Sequence, residues 1–216
     1  MSICIATNIA EGIKGAIREQ IQGMHTFVPG KIVSYDPASG TATVQPIMQI
    51  TKPDGTKMDY PQISGVPVTC PQGGGQNASI GFPIKAGDGV MLLAAEKSLD
   101  YWMYGRETDT DLSFDLSNSV AIPGLFNSGS KAMQEANNND CIVIMQGDSV
   151  IKLKGDGVEI ESDGVKFAIS GGKSVIEGDI EVDGKITATG EVESRGKKLA
   201  SHTHTDSEGG QTSAPN

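Results

Sequence analysis

Basic residues are scarce in this chain: 17 Lys and Arg stand against 27 Asp and Glu among 216 residues, a formal charge of −10. That balance excludes duplex nucleic acid as the main partner, because gripping phosphates takes clustered Lys and Arg. The only compact basic cluster is Arg195-Gly196-Lys197-Lys198. Cysteine is scarcer still. Cys4, Cys70 and Cys141 are odd in number and far apart, which excludes a disulfide framework and a Cys-based metal site and leaves small apolar core residues or free thiols. No run approaches the roughly 20 apolar residues that span a bilayer. The apolar start, Met1 to Ala10, has no basic flank and is interrupted at Glu11, so it does not read as a secretion signal. A role at a membrane would be exercised from outside the lipid, or by being pushed through it.

What is present divides the chain into five segments. Residues 1–24 read as a helix, with Ile5, Ile9, Ile13, Ile17 and Ile21 at every fourth position. Gly12 and Gly15 cost it about 1 kcal/mol each relative to Ala, so the helix needs packing. Its stripe is expected either to cover the next domain's core or to dock on a sister chain or larger assembly. Residues 25–106 read as a compact β domain. The pair Lys31–Tyr35 and Thr41–Ile47 flanks the turn Asp36-Pro37-Ala38-Ser39-Gly40, and Lys52-Pro53-Asp54-Gly55 separates the next pair. Val66–Val68, Ile80–Ile84, Gly89–Leu93 and Tyr101–Tyr104 are expected as further strands, which suggests a small OB-type barrel. Tyr101, Trp102 and Tyr104 are expected to pack in its core and edge, since basic residues do not interleave with them as a polynucleotide reader requires. Gly73-Gly74-Gly75 lacks the Lys-Ser/Thr of a P-loop and reads as a loop. Residues 107–140 lose periodicity and read as a linker or wrapping segment.

Residues 141–200 are the most regular. Val150–Lys154 alternates, and then Gly178, Gly184, Gly190 and Gly196 recur at six-residue spacing, with Ile180, Ile186 and Val192 two places after the first three. So short a period points to a β-helix or β-prism. One copy cannot bury its apolar row alone. Three chains, each giving one strand per layer, would bring the Ile and Val together on an axis and coat the outside with charge, making a thin, stiff homotrimeric rod.

Residues 201–216 hold His202-Thr203-His204, two of the chain's three histidines. In an extended strand such a pair faces one way, roughly 6.5–7 Å apart, which is half of a chelating site. Spacing alone leaves three readings open: a solvated pair, a mononuclear site completed within the chain by Asp206 and Glu208, or a site shared between chains. On a threefold rod three pairs would offer six imidazoles, an octahedral set that suits iron, with nickel as competitor, better than four-coordinate zinc. Nothing in the pattern argues for catalysis, because no further His stands in this half and no His-Glu-x-x-His helix is present.

The run from Thr189 through Ser194, Arg195, Gly196, Lys197, Lys198 and Leu199 to His202-Thr203-His204 resembles the tip of the central baseplate spike of contractile-tailed bacteriophages. Gly209-Gly210-Gln211-Thr212-Ser213-Ala214-Pro215 is similar to that family's closing segment. Gly30–Pro37, Val44-Gln45-Pro46, Val66-Pro67-Val68 and Phe82–Asp88 resemble its N-terminal OB domain, and Leu116–Leu125 the stretch that leaves it. The resemblance implies a mainly β fold: an N-terminal helix, an OB barrel, and an intertwined triple-stranded β-helix narrowing to a pointed apex. It implies a homotrimeric structural protein of the virion, made in the host cytoplasm and placed at the tail baseplate tip. Its N-terminal region would join the tail hub, and the rod would pierce the host outer membrane mechanically during contraction. One iron ion per trimer would be held by His202 and His204 of three chains, with no catalytic residue and no nucleic-acid partner. Some spikes of this class carry a lysozyme domain, for which 107–139 is too short. The alternatives are a trimeric receptor- or glycan-binding tail fibre, which as an enzyme would need paired carboxylates in a groove, or the equivalent spike of a tailocin or secretion apparatus.

Overall fold

The computed structural model describes residues 2–106 and 112–214, with side chains from Ile9 onward. The side chains of Cys4 and Ile5, Pro215 and the part of the expected linker at 107–111 lie outside what is described. The chain is mainly β and divides into two compact units, Met1–Gly129 and Ser130–Asn216.

The first unit begins with α1 (Ser2–Gly23). Ile9, Ile13, Ile17 and Ile21 remain 54–63% exposed, so the stripe does not cover the β core as one expectation had it. That core closes on itself. Five strands, β1 (Phe27–Asp36), β2 (Thr41–Pro46), β5 (Ile63–Pro67), β8 (Gly89–Ala94) and β9 (Ser119–Pro123), form an antiparallel sheet in the order β5-β2-β1-β8-β9. The long β1 pairs with β2 through 30–36 and with β8 through 27–31, and its register slips between Ile32 and Ser34. Such a bulge bends and twists a strand, and the sheet curls until its two edges meet at a parallel bridge, Val68 to Ala121. Thr69 N–H donates to the Ala121 carbonyl at 3.0 Å beside it. This is a five-stranded barrel of the expected type.

Alternation sends Val28 and Ile32 from β1, Ala42 and Val44 from β2, Val66 from β5, Val90 and Leu92 from β8 and Ala121 from β9 inward. Val44, Val90, Leu92 and Ala121 have no exposed surface. The Asp36–Gly40 turn forms as expected: the Asp36 carboxylate accepts from Ala38 N–H at 3.0 Å and Ser39 Oγ at 2.7 Å. The second expected turn joins β3 (Gln49–Thr51) to β4 (Lys57–Asp59), and the glycine loop joins β6 (Gln72–Gly73) to β7 (Ala78–Ser79).

Four sequence expectations are corrected. Ile80–Ile84 is not a strand; Pro83 has no N–H to give a ladder, and Ile80 and Phe82 are exposed. Tyr101–Tyr104 is helical, within α2 (Asp100–Tyr104), which ends on Gly105 at φ +67° with its N–H on the Tyr101 carbonyl. Trp102 is 85% exposed, so it packs in neither core nor edge. The barrel's last strand, β9, lies inside the stretch read as linker.

The second unit starts with α3 (Lys131–Asn139), also inside that stretch, capped by the Ser130 hydroxyl accepting from Met133 N–H. An antiparallel meander follows: β10 (Ile142–Gln146), β11 (Ser149–Lys154), β12 (Gly157–Ser162), β13 (Val165–Ser170) and β14 (Lys173–Glu177). Its strands find neighbours in their own chain, where the sequence reading expected one strand per chain in each layer. The register lines up Ile144, Ile151, Ile160, Phe167 and Ile176 in one row across all five strands. Beside it runs Ile142, Leu153, Val158 and Ile169, on the same face. The opposite face is charged. Lys154 and Lys166 both pair with Glu159, and Glu135 of α3 pairs with Lys152. From Gly178 to Val192, where the six-residue repeat lies, the described chain makes no strand ladder within itself, and Ile180, Val182, Ile186 and Val192 are exposed.

Candidate metal centre

The chain reaches the histidine pair through a two-residue hairpin. β15 (Glu193–Ser194) pairs with β16 (Lys197–Lys198) across Arg195 and Gly196 at φ +50° and +76°, the double positive-φ signature of a type I′ turn. The basic cluster seen in the sequence is therefore a turn and its following strand. Leu199 N–H extends the hairpin to the Val192 carbonyl at 2.7 Å, and Ala200 N–H donates to Glu191 Oε1 at 2.8 Å.

His202 closes the turn that follows β16 and is not in extended strand: its N–H donates to the Lys198 carbonyl at 3.0 Å. Its ring is held as well. Nδ1 lies 2.9 Å from the Leu199 carbonyl and 3.2 Å from that of Lys198. Both partners only accept, so Nδ1 is the donor, and in the neutral ring Nε2 is then the nitrogen that carries the lone pair. Metal-bound histidines commonly donate their other ring N–H to a carbonyl in this way.

The His204 ring stands 5.0 Å from that of His202, centre to centre, at 81°. Two imidazoles bound side by side on one ion through bonds of about 2.1 Å place their centres roughly 4.6 Å apart. The separation of the pair is close to that value. His204 is exposed, and no hydrogen bond of its ring is seen among the described residues.

Asp206 is committed elsewhere. Its Oδ1 accepts from Glu208 N–H at 2.9 Å and Gly210 N–H at 2.7 Å, closing a tight turn that brings the chain back to His204. Glu208 joins by its backbone. Among the described residues of one chain, no cluster of three or more His, Cys, Asp or Glu forms.

His25, the third histidine, sits in the barrel unit just after α1, a position that sequence reasoning passed over. Its Nε2 lies 3.2 Å from Tyr60 Oη, with the rings edge to face at 5.7 Å. Both line a groove of about 440 Å³ with Gln62, Asp115 and Ser117. The Ser117 hydroxyl and N–H donate to Asp115, and with His25 nearby they hold its carboxyl below the usual range. These contacts tie the start of the barrel to the loop before β9, where His25 N–H also meets the Phe114 carbonyl at 3.0 Å. Cys70 and Cys141 are free and half-buried.

Residues 28–124, the barrel from β1 through β9, match the family described as Phage protein Gp138 N-terminal domain. The match supports a phage structural protein and a virion component. No curated protein matches the chain.

Proposed function

We propose that the chain is the central spike of a contractile phage tail, a homotrimer that carries an iron ion at its apex and pierces the host outer membrane mechanically. The observation that carries this reading is the pairing of two features in the second unit. One is a meander with an exposed apolar face; the other is a histidine pair beyond the repeat whose ring centres stand 5.0 Å apart.

An exposed apolar face of this extent calls for cover. Three copies related by a threefold axis would turn those faces inward as the walls of a prism and leave the Lys154–Glu159–Lys166 face in water. Beyond Gly178 the repeat would continue with strands from different chains laddering one another, which would satisfy backbone groups that find no ladder in a single chain. Intertwining is then confined to the last part of the rod, ahead of the apex.

At the end of that axis His202 and His204 of three chains would hold the ion. When bound, the metal supplies six bonds that cross-link three chain ends at the point where the apolar core would otherwise fray. The chain's own groups prepare this: the Leu199 and Lys198 carbonyls fix the His202 tautomer, and the Asp206 turn keeps the tail compact. The barrel end would join the tail hub, and the α1 isoleucine stripe and the exposed Trp102 are surfaces open to such a partner. The work is mechanical and breaks no bond.

Sedimentation and metal analysis of the full-length protein test the reading. A trimer with about one iron per three chains is expected. A monomer, or one metal per chain, would overturn it.

A further inference from the structure

Thr212 grips the His204 peptide at both ends. Its Oγ1 accepts from the His204 N–H at 2.9 Å, and its own N–H donates to the His204 carbonyl at 2.9 Å. The grip depends on the reversal between them. Thr205 bridges to Gln211, Asp206 N–H donates to the Gly210 carbonyl at 2.8 Å, and the Asp206 carboxylate accepts from the two N–H groups already named. Gly209 sits at φ +86°, a conformation side chains rarely adopt, and a Cβ on Gly210 would lie 2.6 Å from Asp206 Oδ2 and push the carboxylate aside. The two histidines are thus positioned by different means: His202 has hydrogen bonds to its ring as well as its backbone, whereas among the described residues the hydrogen bonds of His204 are to its backbone.

We infer that Thr212 is a positioning residue for the metal centre, fixing the His204 backbone so that its imidazole meets the ion beside that of His202. The inference rests on the apex reading above. Without the hydroxyl, the His204 N–H turns to water and the peptide is held at one end, so its ring must be ordered at the moment of binding. Partners that orient a ligand from outside the coordination sphere are typically worth ten- to a hundredfold in metal affinity.

The experiment compares wild type, Thr212→Val and Thr212→Ser as full-length chains, stripped with chelator and titrated anaerobically with iron(II) against a competing chelator. Valine keeps the shape and the backbone bond while removing the acceptor. It is expected to weaken iron binding by roughly tenfold or more, and serine to restore it, with the metal-free melting temperature and trimer mass unchanged across all three. Equal affinity in wild type and Thr212→Val overturns the positioning role and leaves the apex reading standing. A loss of trimer or of metal-free stability in Thr212→Val shows a structural role instead and overturns it too. Wild type that takes up no iron overturns the apex reading and this inference with it.

Discussion

A Cβ placed on Gly89 would lie 1.7 Å from the carbonyl oxygen of Leu125. The contact is held from both sides, since the Gly89 carbonyl accepts from the N–H groups of Gly124 and Leu125 at 3.1 and 3.3 Å. The segment leaving β9 is thereby laid against the first residue of β8. Gly89→Ala must push backbone against backbone, and we expect it to cost about 1–3 kcal/mol. Urea denaturation of the barrel unit's signal measures this, and a variant as stable as wild type would show that the segment moves aside freely.

Leu92 is fully buried at the centre of the barrel. Leu92→Ala should destabilise by about 2–5 kcal/mol, the transfer term plus the cavity. The exposed Trp102→Ala should stay within roughly 0.5 kcal/mol. Equal losses in the two variants would contradict the inside–outside assignment of these residues.

Ile160 stands in the middle of the apolar row on β12 and is 41% exposed in the single chain. If three such faces meet, Ile160→Asp forfeits about 1.5–3 kcal/mol of burial in each chain and adds the burial of a charge. Sedimentation should then show loss of the trimer, while Lys166→Ala on the opposite face leaves it intact. A trimer indifferent to Ile160→Asp would rule out this face as the interface.

Asp115 has a folded-state pKa below its usual value of 3.8, chiefly through the Ser117 hydroxyl and N–H. A depressed carboxyl stabilises the fold above its unfolded pKa, and that stability is lost as pH falls through the folded value. Asp115→Asn should therefore be less stable than wild type at pH 6, with the gap narrowing below about pH 4. Paired denaturation curves at pH 6 and pH 3 would expose a constant gap, which would mean the ionised form gives nothing.

A Cβ on Gly12 or on Gly15 would meet open space, so alanine fits at either place. Each replacement should strengthen α1 by up to about 1 kcal/mol, read as slower amide exchange across residues 9–23. No slowing would mean that α1's stability is set by a docking partner and not by its own propensity.

Much of the barrel is legible in local chemistry. The turns at Asp36–Gly40 and Lys52–Gly55 and the alternation through Ala42, Val44 and Pro46 need only neighbours in sequence. Two of the departures carry local signals that stronger ones outweigh. Asp100 ahead of three aromatics and Gly105 behind them mark a short helix, yet the aromatic run favours a strand. Ser130 three places before Met133 is a helix cap within a stretch of weak periodicity. β9 is hidden for a different reason: five residues ending in Pro123 make a strand only because β8 lies beside them.

The sequence by itself determined the turn positions, the two-residue period of the strands, the six-residue glycine repeat and the spacing of His202 and His204. These are properties of residues close along the chain, governed by backbone sterics and side-chain alternation. Only the tertiary structure decided that Val68 meets Ala121 to close the barrel and that nine apolar residues of the meander share one face. It alone decided that Asp206 serves a turn and that Thr212 returns to hold His204. Each of these depends on which distant groups satisfy one another's hydrogen bonds and surfaces, and that is settled when the chain folds back on itself.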